Sequence, residues 1–524
     1  MLRVLTVITC LLVWNLGISQ AVDDRPNIML IVADDLAFTD LGSFGGEIST
    51  PTLDELAFTG VRLNNLHAAP YCQPTRVMLL ASAGATGATE LLPNQPSGQR
   101  ANRLSLAWAT LPELLQDAGY QTYMAGKWDV GLSGDYTPAK RGFDRSFAML
   151  EASASHFAEY FWTDAILYEE DGHAIGLDDL PPDFYSTRAY TEKMLEYLQS
   201  HDGDAPWFAY LPYTAPHWPL QVPDAWLDRY AGRYEEGFDA LREERVARAE
   251  ELGVIPAGAS LDRFEPVAPP WESLTLNERR EFARAQEIYA AMIEYLDESI
   301  GHIVDYLEDS EQLDDTVIFF MSDHGASSWG VTVDRFEITA GRDNRFENFG
   351  RINSFIDHGV GFAEAGTAPL KHYKTTVSEG GLRAAAFVRF PPSIPGGGVS
   401  DAMMSVMDVL PTFLEIAGAE HPGEGEYKGR QIHGIKGRSL WPYLIGDAAV
   451  VHAPSDGIGW IWGDGGALIK GDYKVVKQRT LPGSDPESWQ LYNIAEDPGE
   501  TRDLSAESPE LTAELVQELE SNWR

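Results

Sequence analysis

Residues 25–35 have the sequence RPNIMLIVADD, and this segment carries the main information about the fold. Residues 28–33 are an unbroken apolar run that stops at Asp34 and Asp35, and a helical pattern follows at residues 52–58. A short continuous apolar run followed by a helix is typical of a strand that lies in a parallel sheet and is buried on both faces. The segment therefore predicts such a strand.

A second segment of the same kind lies at residues 316–325, TVIFFMSDHG. Between the two segments, shorter apolar runs predict strands, and regular spacing of Leu, Ile, Tyr and Ala predicts helices. Alternation of strands and helices indicates an α/β fold, with a large, mostly parallel (mixed) sheet flanked by helices. The further predicted strands are residues 121–125 and 207–211, and the further predicted helices are residues 111–118, 187–199 and 281–307.

The acidic residues after the two long strands are the first candidate site. Asp34 and Asp35 end one strand, and Asp323 ends the other. Ligand sites in open α/β sheets lie beyond the carboxyl ends of the strands, so these carboxylates are expected to converge. An aspartate after a strand also caps a following helix in many proteins, and this is the alternative interpretation of Asp34 and Asp35.

The pattern changes after about residue 463. Short alternating segments at residues 467–477 and 489–494 predict strands, and residues 511–519 have helical spacing. We expect a small C-terminal α+β subdomain with a short antiparallel sheet. The predicted organisation is residues 1–21 as a signal peptide, 22–450 as the main domain, which carries the candidate site, and 451–524 as the C-terminal subdomain.

The first residues have the features of an export signal. Arg3 precedes a largely apolar stretch, residues 4–16, and Ser19 and Ala21 occupy the positions of a cleavage site. A membrane anchor is the alternative, but the run is short and contains polar residues. No later segment reaches about 18 uninterrupted apolar residues, so the mature chain is expected to be exported, periplasmic or secreted, without a membrane span.

Charge excludes one class of partner. Lys and Arg total 39 against 80 Asp and Glu, which gives a formal net charge of −41. Nucleic acid is not an expected partner, because binding to phosphate backbones requires a basic face. The same charge repels anionic substrates, so any anion site has to be locally positive.

The chain has two cysteines, Cys10 and Cys72, and Cys10 lies in the predicted signal peptide. One remaining thiol in an exported protein cannot form an internal disulfide, and it is a candidate for reactivity or modification. It begins the motif Cys72-Gln-Pro-Thr-Arg76. By itself this pentapeptide is also compatible with a buried structural cysteine near a turn.

The motif resembles the Cys-x-Pro-x-Arg sequence of type I sulfatases. Further blocks follow in the order found in bacterial arylsulfatases of the alkaline phosphatase superfamily, which the chain resembles over nearly all of its mature length. In that family the cysteine is oxidised to formylglycine, whose hydrate supplies one hydroxyl that attacks sulfur and another that expels sulfate. The matching blocks are residues 25–35, 111–115, 125–128, 214–220, 321–323, 379–381 with Lys374 before them, 407–412 and 491–500.

The resemblance implies roles for individual residues. Asp34, Asp35 and Asp323 would bind Ca²⁺, or Mg²⁺ if the cavity is tighter, because hard cations prefer carboxylate oxygens. Cations at the sulfate lower the barrier where negative charge develops, and His217 or Lys374 would protonate the leaving alcohol. Spacing favours Lys374 over its neighbour Lys371. The residues implied to contact the sulfate or the nucleophile are Arg76, Lys127, His217 and Lys374.

Three positions depart from the family pattern. Asp129 stands where a histidine is thought to accept the proton that releases sulfate, so a carboxylate would serve as the base or the site is remodelled. His324 stands where arylsulfatases carry Asn, and it is a further candidate metal ligand. Residues 79–84 (LLASAG) replace Leu-Thr-Gly, which helps the formylglycine-generating enzyme recognise its target.

We therefore expect a calcium-dependent hydrolase of sulfate monoesters, with a sulfated small molecule or glycan as substrate. The first alternative is a phosphate or phosphonate monoester hydrolase of the same superfamily, because some of its members have Asp-His-Gly at residues 323–325. The second is a secreted, catalytically impaired pseudo-sulfatase, supported by Asp129 and by the missing Leu-Thr-Gly. Residues 157–173 and 327–357 are expected to form the substrate pocket.

Overall fold

The computed structural model describes residues 25–84, 89–91, 102–159, 168–201, 203–256, 265–331, 341–480 and 488–523. The predicted signal peptide and Cys10 lie outside these residues. The strands are β1 (Asn27–Ala33), β2 (Val61–Leu63), β3 (Leu66–His67), β4 (Thr89–Leu91), β5 (Asn102–Leu104), β6 (Gln121–Lys127), β7 (Arg145–Met149), β8 (Tyr168–Glu170), β9 (His173–Ile175), β10 (Trp207–Pro212), β11 (Thr316–Ser322), β12 (Ala386–Arg389), β13 (Gly398–Ser400), β14 (Met404–Ser405), β15 (Gly425–Tyr427), β16 (Arg430–Ile432), β17 (Gly457–Trp462), β18 (Gly465–Lys470), β19 (Tyr473–Lys477) and β20 (Gln490–Asn493).

The main sheet has the order β13-β2-β12-β11-β1-β10-β6-β7-β8-β9 within the described part of the chain. Its centre is parallel: β1 pairs with β10 and β11, and β6 pairs with β10 and β7. Antiparallel strands β12 and β8 flank this centre. The prediction of a mostly parallel, mixed sheet is confirmed.

Strand β1 is buried on both faces, as its unbroken apolar sequence predicted. Met29 and Ile31 pack into one hydrophobic core, and Leu30 and Val32 pack into another on the opposite face. Successive side chains of a strand alternate between faces, so one run of apolar residues supplies both cores. Complete burial of a side chain of this size contributes about 1.5–3 kcal/mol.

The helices cover both faces of the main sheet, and the helices predicted from spacing are present. The longest, α6, begins after Thr275, whose side chain accepts a hydrogen bond from the Glu278 N–H in a capping box. The helices are α1 (Pro51–Thr59), α2 (Cys72–Ala81), α3 (Leu111–Asp117), α4 (Ser186–Gln199), α5 (Gly237–Glu251), α6 (Leu276–Asp309), α7 (Gly359–Thr367), α8 (Glu379–Leu382), α9 (Val409–Ile416), α10 (Trp441–Leu444) and α11 (Pro509–Asn522).

A separate antiparallel sheet, β17-β18-β19-β20, forms the C-terminal region. Helix α11 packs on it through Leu515 and Leu519, which share a small hydrophobic core with Leu468 and Val475. The predicted α+β character of this region is confirmed, and the boundary between residues 450 and 451 remains a prediction. Among the described helices, none has both the length and the apolar composition that crossing a bilayer requires.

Candidate active site

The candidate site lies at the carboxyl ends of β1 and β11. These strands are parallel neighbours in which Ala33 pairs with Ser322, so the residues that follow each strand lie side by side. The N–H of Asp323 donates to the Ala33 carbonyl at 3.0 Å, and the Asp35 N–H donates to Asp323 Oδ1 at 3.2 Å. The structure therefore brings together the three aspartates that the sequence placed at two strand ends.

Asp34 and Asp35 each pair with a lysine through one carboxylate oxygen. Lys127 Nζ lies 2.6 Å from Asp34 Oδ2, and Lys374 Nζ lies 2.5 Å from Asp35 Oδ1. Among the described residues, the other oxygens, Asp34 Oδ1 and Asp35 Oδ2, have no hydrogen-bond partner although they are buried. A buried carboxylate oxygen without a partner is costly, so these two oxygens are available to a ligand.

Burial and neighbouring charges shift the pKa values of the Asp34 and Asp35 carboxyls in opposite directions. Burial raises the pKa of Asp34, but the cations around it, Lys127 foremost, outweigh burial and hold the pKa well below its ordinary value. Burial also raises the pKa of Asp35, and the negative charge of Asp34 adds to this against Lys374, giving a pKa of about 7. The pKa values of two acids that share one site diverge in this way.

Cys72 is the first residue of helix α2, and it is a free, buried cysteine. Its Sγ lies 3.2 Å from Nε2 of His324. Burial, with the charge of Asp34, raises the pKa of the thiol well above its ordinary value despite Lys127. Because the thiolate is the reactive form, the unmodified side chain is a poor nucleophile here.

Two histidines present Nε2 to the site. The Nδ1 atoms face backbone carbonyls: that of His217 faces Trp218 at 2.5 Å, and that of His324 faces Gly325 at 2.9 Å. Burial is the largest cause that lowers the pKa of each imidazole, and Lys374 adds to it. Neutral rings that donate through Nδ1 direct the Nε2 lone pair into the site, where it can bind a metal or accept a proton.

Arg76 lies beneath the carboxylates on the same helix as Cys72. One of its terminal nitrogens is 3.4 Å from Asp323 Oδ2 and 3.7 Å from Asp34 Oδ2, and the other donates to the Lys127 carbonyl at 2.9 Å. The arginine is completely buried. Arg76 therefore links Asp34, Asp323 and the backbone of Lys127, and its positive charge offsets the negative charge of the two carboxylates.

The donor set fits a metal ion. Ligand atoms of Asp34, Asp35, Cys72 and His324 lie within 4.8 Å of one another. Asp323 is not in this group, but its Oδ1 is 3.4 Å from His324 Nε2. The two carboxylate oxygens without partners favour a hard divalent cation. The Cys72 sulfur is a soft donor, so its conversion to an oxygen-bearing side chain would improve the match to such a cation.

Asp129 lies next to this group in a left-handed backbone conformation, with φ of 57°. Its Oδ2 is 3.9 Å from Lys127 Nζ and has no hydrogen-bond partner among the described residues. Burial is the main cause that raises its pKa, against the lowering effect of Lys127 and Arg76. A buried carboxylate that has a raised pKa and an oxygen without a hydrogen bond has the properties of an acid–base group.

A cavity of about 740 Å³ opens above these residues. Sequence analysis expected its walls from residues 157–173 and 327–357, both of which lie partly outside the described residues. Ser328 and Trp329 of the second segment do line it, whereas the described residues of the first do not. The contribution of the C-terminal sheet was missed, because no local pattern links it to the cavity. The lining residues are Tyr71, Gln73, Pro74, Asp129, Leu132, Leu150, Glu151, Ala152, Ser328, Trp329, Lys374, Thr375, Trp462 and Arg479.

Comparison with known proteins identifies the family of this site. The model of the sulfatase family matches residues 26–419. The chain belongs to the sulfatase family. An uncharacterized sulfatase of Schizosaccharomyces pombe is 37% identical over 530 residues, which cover 95% of this chain and 93% of that protein. An arylsulfatase of Klebsiella aerogenes is 35% identical over 422 residues, which cover 77% of this chain and 89% of that protein.

Solved structures show the same fold. One, bound to k-i-k-neocarrahexaose, has a TM-score of 0.68 and 22% identity, and the match covers 95% of this chain and 92% of that one. Another, bound to D-glucosamine-2-N,6-O-disulfate as its substrate, has a TM-score of 0.60 and 22% identity, with 95% and 97% coverage.

Sulfatases and arylsulfatases are sulfuric ester hydrolases, and sulfate ester hydrolysis is the activity that family membership assigns to this chain. Sulfatases generally use a metal ion and formylglycine, and the buried Asp-Asp-Cys-His group is compatible with both.

Proposed function

We propose that the chain hydrolyses sulfate monoesters with a formylglycine nucleophile made from Cys72 and a bound Ca²⁺. The main support is the arrangement of Asp34 and Asp35, each of which gives one oxygen to a lysine and leaves the other without a hydrogen-bond partner among the described residues. Asp323 and His324 complete the proposed ligands. The cation, when bound, polarises the sulfate and stabilises an anionic nucleophile.

The lysines bind the sulfate in this proposal, and His217 lies beside them. Lys127 and Lys374 are buried ammonium groups whose pKa values are raised, because neighbouring acids outweigh burial. The neutral His217 offers an Nε2 lone pair, whereas Lys374 carries protons. We therefore assign protonation of the leaving oxygen to Lys374. Once formed, the aldehyde hydrate at residue 72 supplies the attacking oxygen, and Arg76 offsets the charge around it.

Asp129 takes the role of the proton acceptor that allows residue 72 to expel sulfate. Its Oδ2 is buried, has no hydrogen-bond partner among the described residues and lies 3.9 Å from Lys127 Nζ. Because burial raises its pKa, turnover should fall as the pH decreases through that raised pKa. In Asp129→Asn this acidic limb should disappear and kcat should fall about 10²-fold, whereas Asp129→His should keep activity. If turnover of Asp129→Asn still falls at low pH as in the wild type, Asp129 is not the proton acceptor.

The deciding experiment is the mass of the proteolytic peptide that contains Cys72, from protein made together with a formylglycine-generating enzyme. A mass of the aldehyde or its hydrate supports the proposal, and Cys72→Ser made in parallel is the control for unmodified chain. An intact thiol despite active modifying enzyme would favour a pseudo-sulfatase that binds without turnover.

A phosphate or phosphonate monoester hydrolase is the second candidate. The observation in its favour is His324, which places an imidazole 3.2 Å from the Cys72 sulfur where arylsulfatases have an amide. Turnover of 4-nitrophenyl sulfate, 4-nitrophenyl phosphate and an aryl phosphonate monoester by one preparation separates the two. A catalytic efficiency towards the sulfate below that towards either phosphorus ester would favour the second candidate.

We further propose that the protein acts outside the cytoplasm, in the periplasm or as a secreted protein, on a sulfated small molecule or glycan. The apolar run at residues 4–16 and the single remaining cysteine support export.

A further inference from the structure

The C-terminal sheet contributes one wall of the active-site cavity. Trp462, the last residue of β17, and Arg479, just after β19, both line it. Trp462 Nε1 donates a hydrogen bond at 3.0 Å to the carbonyl of Thr375, the residue after Lys374. This bond fixes the indole beside Lys374, so the wall is part of the site.

The wall carries two aromatic rings. The rings of Tyr71 and Trp462 lie 6.3 Å apart at an angle of 26°, and Tyr71 precedes Cys72 in the chain. Rings of this kind bind the apolar face of a cyclic leaving group. Beside them, Gln73 Nε2 is buried without a hydrogen-bond partner among the described residues, and it matches a hydroxyl group of a sugar better than a bare aryl ring.

Arg479 is an exposed cation at the mouth of this cavity. Its guanidinium lies 5.3 Å from the centre of the Trp462 ring, and no described carboxylate lies within ion-pair distance of it. In a chain with 80 acidic residues and a net charge of −41, an arginine at a cavity with no acidic partner among the described residues is unusual. Arginine recognises carboxylate and sulfate groups through paired hydrogen bonds.

This cation is separate from those that would bind the reacting sulfate. Lys127, Lys374 and Arg76 are buried and paired with aspartates, whereas Arg479 belongs to another sheet and lacks such a partner among the described residues. A substrate whose reacting sulfate lies at the lysines and whose ring lies on Trp462 would present its far side to Arg479.

We propose that the substrate is a sulfated sugar with a second anionic group, and that Trp462 and Arg479 form the subsite for that group. The inference rests on the proposed sulfatase function for the position of the reacting sulfate. It makes Arg479 a specificity-determining residue: the arginine discriminates between substrates and takes no part in bond cleavage.

The test compares sugars that differ by one sulfate: glucosamine 6-sulfate with glucosamine 2-N,6-O-disulfate, and N-acetylgalactosamine 6-sulfate with its 4,6-disulfate. Their inhibition constants are measured against 4-nitrophenyl sulfate, for the wild type and for Arg479→Gln, Arg479→Lys and Arg502→Gln. Arg502 is 60% exposed and pairs with Glu507, so its variant controls for the change in net charge.

We expect the wild type to bind the disulfated member of at least one pair about five- to tenfold more tightly, as charge-assisted hydrogen bonds allow. Arg479→Gln should abolish this preference, while binding of the monosulfated sugar and of the nitrophenyl ester should stay within about twofold of the wild type. Arg479→Lys should keep part of the preference, and Arg502→Gln all of it. No preference in either wild-type pair, or equal losses for both members in Arg479→Gln, would overturn the inference.

A failure of the proposed function is recognised separately. If the wild type does not hydrolyse 4-nitrophenyl sulfate, the same sugars are titrated by calorimetry, which needs no turnover. A preference for the disulfated sugar that depends on Arg479 would then support the subsite in a protein that lacks activity, and its absence would reject the subsite.

Discussion

The protein contains two clusters of buried charges that are built from similar residues. They differ in whether all of their carboxylate oxygens have partners within the protein. The Asp34 cluster is the candidate active site, and the Lys474 cluster joins strand β19 of the C-terminal sheet to helix α8. The Asp34 cluster consists of Asp34, Asp35, Asp323, Arg76, Lys127 and Lys374, and the Lys474 cluster consists of Glu379, Glu500, His67, Arg383 and Lys474.

In the Lys474 cluster each acid pairs with a cation of the protein. Glu379 has Arg383 at 2.7 Å, Lys474 at 2.8 Å and His67 at 3.0 Å. Glu500 Oε2 accepts the Glu379 N–H at 2.9 Å. Its Oε1 has no hydrogen bond among the described residues, but the Lys474 ammonium lies 2.9 Å away as an ion-pair partner. Burial of such groups is tolerated because each charge has a partner.

The Asp34 cluster leaves oxygens of Asp34 and Asp35 without hydrogen-bond partners among the described residues. Both clusters are buried, so exposure does not distinguish a structural ion network from a catalytic one. The distinguishing property is whether a cation lies against the oxygen that lacks a hydrogen bond. Lys474 lies against Glu500 Oε1, whereas Lys127 and Lys374 lie against the opposite oxygens of Asp34 and Asp35. A buried oxygen with neither kind of partner is costly unless a ligand binds it.

The largest expected effect is a difference in catalytic efficiency between variants of Lys374 and Lys371, which are three residues apart. Lys374 pairs with Asp35, whereas Lys371 Nζ lies 3.5 Å from the Tyr492 hydroxyl and from the Glu500 carbonyl, beside the Lys474 cluster. Lys374→Met should lower the catalytic efficiency towards 4-nitrophenyl sulfate by about 10³- to 10⁴-fold, because a cation and a proton donor are lost. Lys371→Met should stay within about threefold. Equal losses in the two variants would contradict the division between the clusters.

The next effect concerns stability. Lys474→Met leaves Glu379 and Glu500 buried together without their shared cation, so the free energy of unfolding should fall by about 3–5 kcal/mol. Lys477→Met on the same strand removes the contacts of Lys477 Nζ with the half-exposed Asp464, 3.5 Å to the carboxylate and 3.4 Å to the backbone carbonyl. It should cost less than about 1 kcal/mol. Urea denaturation measures both. A similar small cost for the two variants would show that the Lys474 cluster is not a structural network.

Metal removal should affect the Asp34 cluster alone. Chelation should abolish turnover, and it should lower the free energy of unfolding by about 2.7 kcal/mol relative to protein with Ca²⁺ at about a hundred times its Kd. Readdition of Ca²⁺ should restore both. Asp34→Asn should show no stabilisation by Ca²⁺, whereas Lys474→Met should keep it. Stabilisation of Asp34→Asn by the same amount would place the cation elsewhere.

The smallest effect is a pH dependence of stability. Burial raises the pKa of Glu379, but Lys474, His67 and Arg383 outweigh it and hold the pKa well below the ordinary 4.5. A carboxyl with a lowered pKa stabilises the folded state above the ordinary value, and this contribution is lost as the pH falls through the lowered pKa. Each unit of lowering corresponds to about 1.4 kcal/mol. Denaturation of the wild type and Glu379→Gln between about pH 6 and 3 should therefore converge on acidification.

Local sequence was sufficient for the central elements of the fold. The apolar runs before Asp34 and before Asp323 predicted two strands buried on both faces, and those strands are adjacent and parallel. The alternating segments after residue 463 predicted the small sheet. These predictions succeed because apolar runs and spacing directly reflect burial, which local residues determine.

The sequence also indicated the members of the candidate site, through motifs at Cys72, Lys127 and Lys374. It did not reveal which oxygens of Asp34 and Asp35 the lysines would occupy, nor the 3.2 Å contact between His324 and Cys72. These are distances between residues far apart in the chain, and no periodicity encodes them.

Sequence by itself determined the fold class, the strand ends and the types of residue available for chemistry, because each depends on neighbouring residues in the chain. Only the tertiary structure decided which buried carboxylate oxygens have partners within the protein and which do not. It alone brought Trp462 and Arg479 to the cavity. The physical reason is that pairing of buried charges and the shape of a cavity depend on contacts between distant segments, which form only when the two sheets pack together.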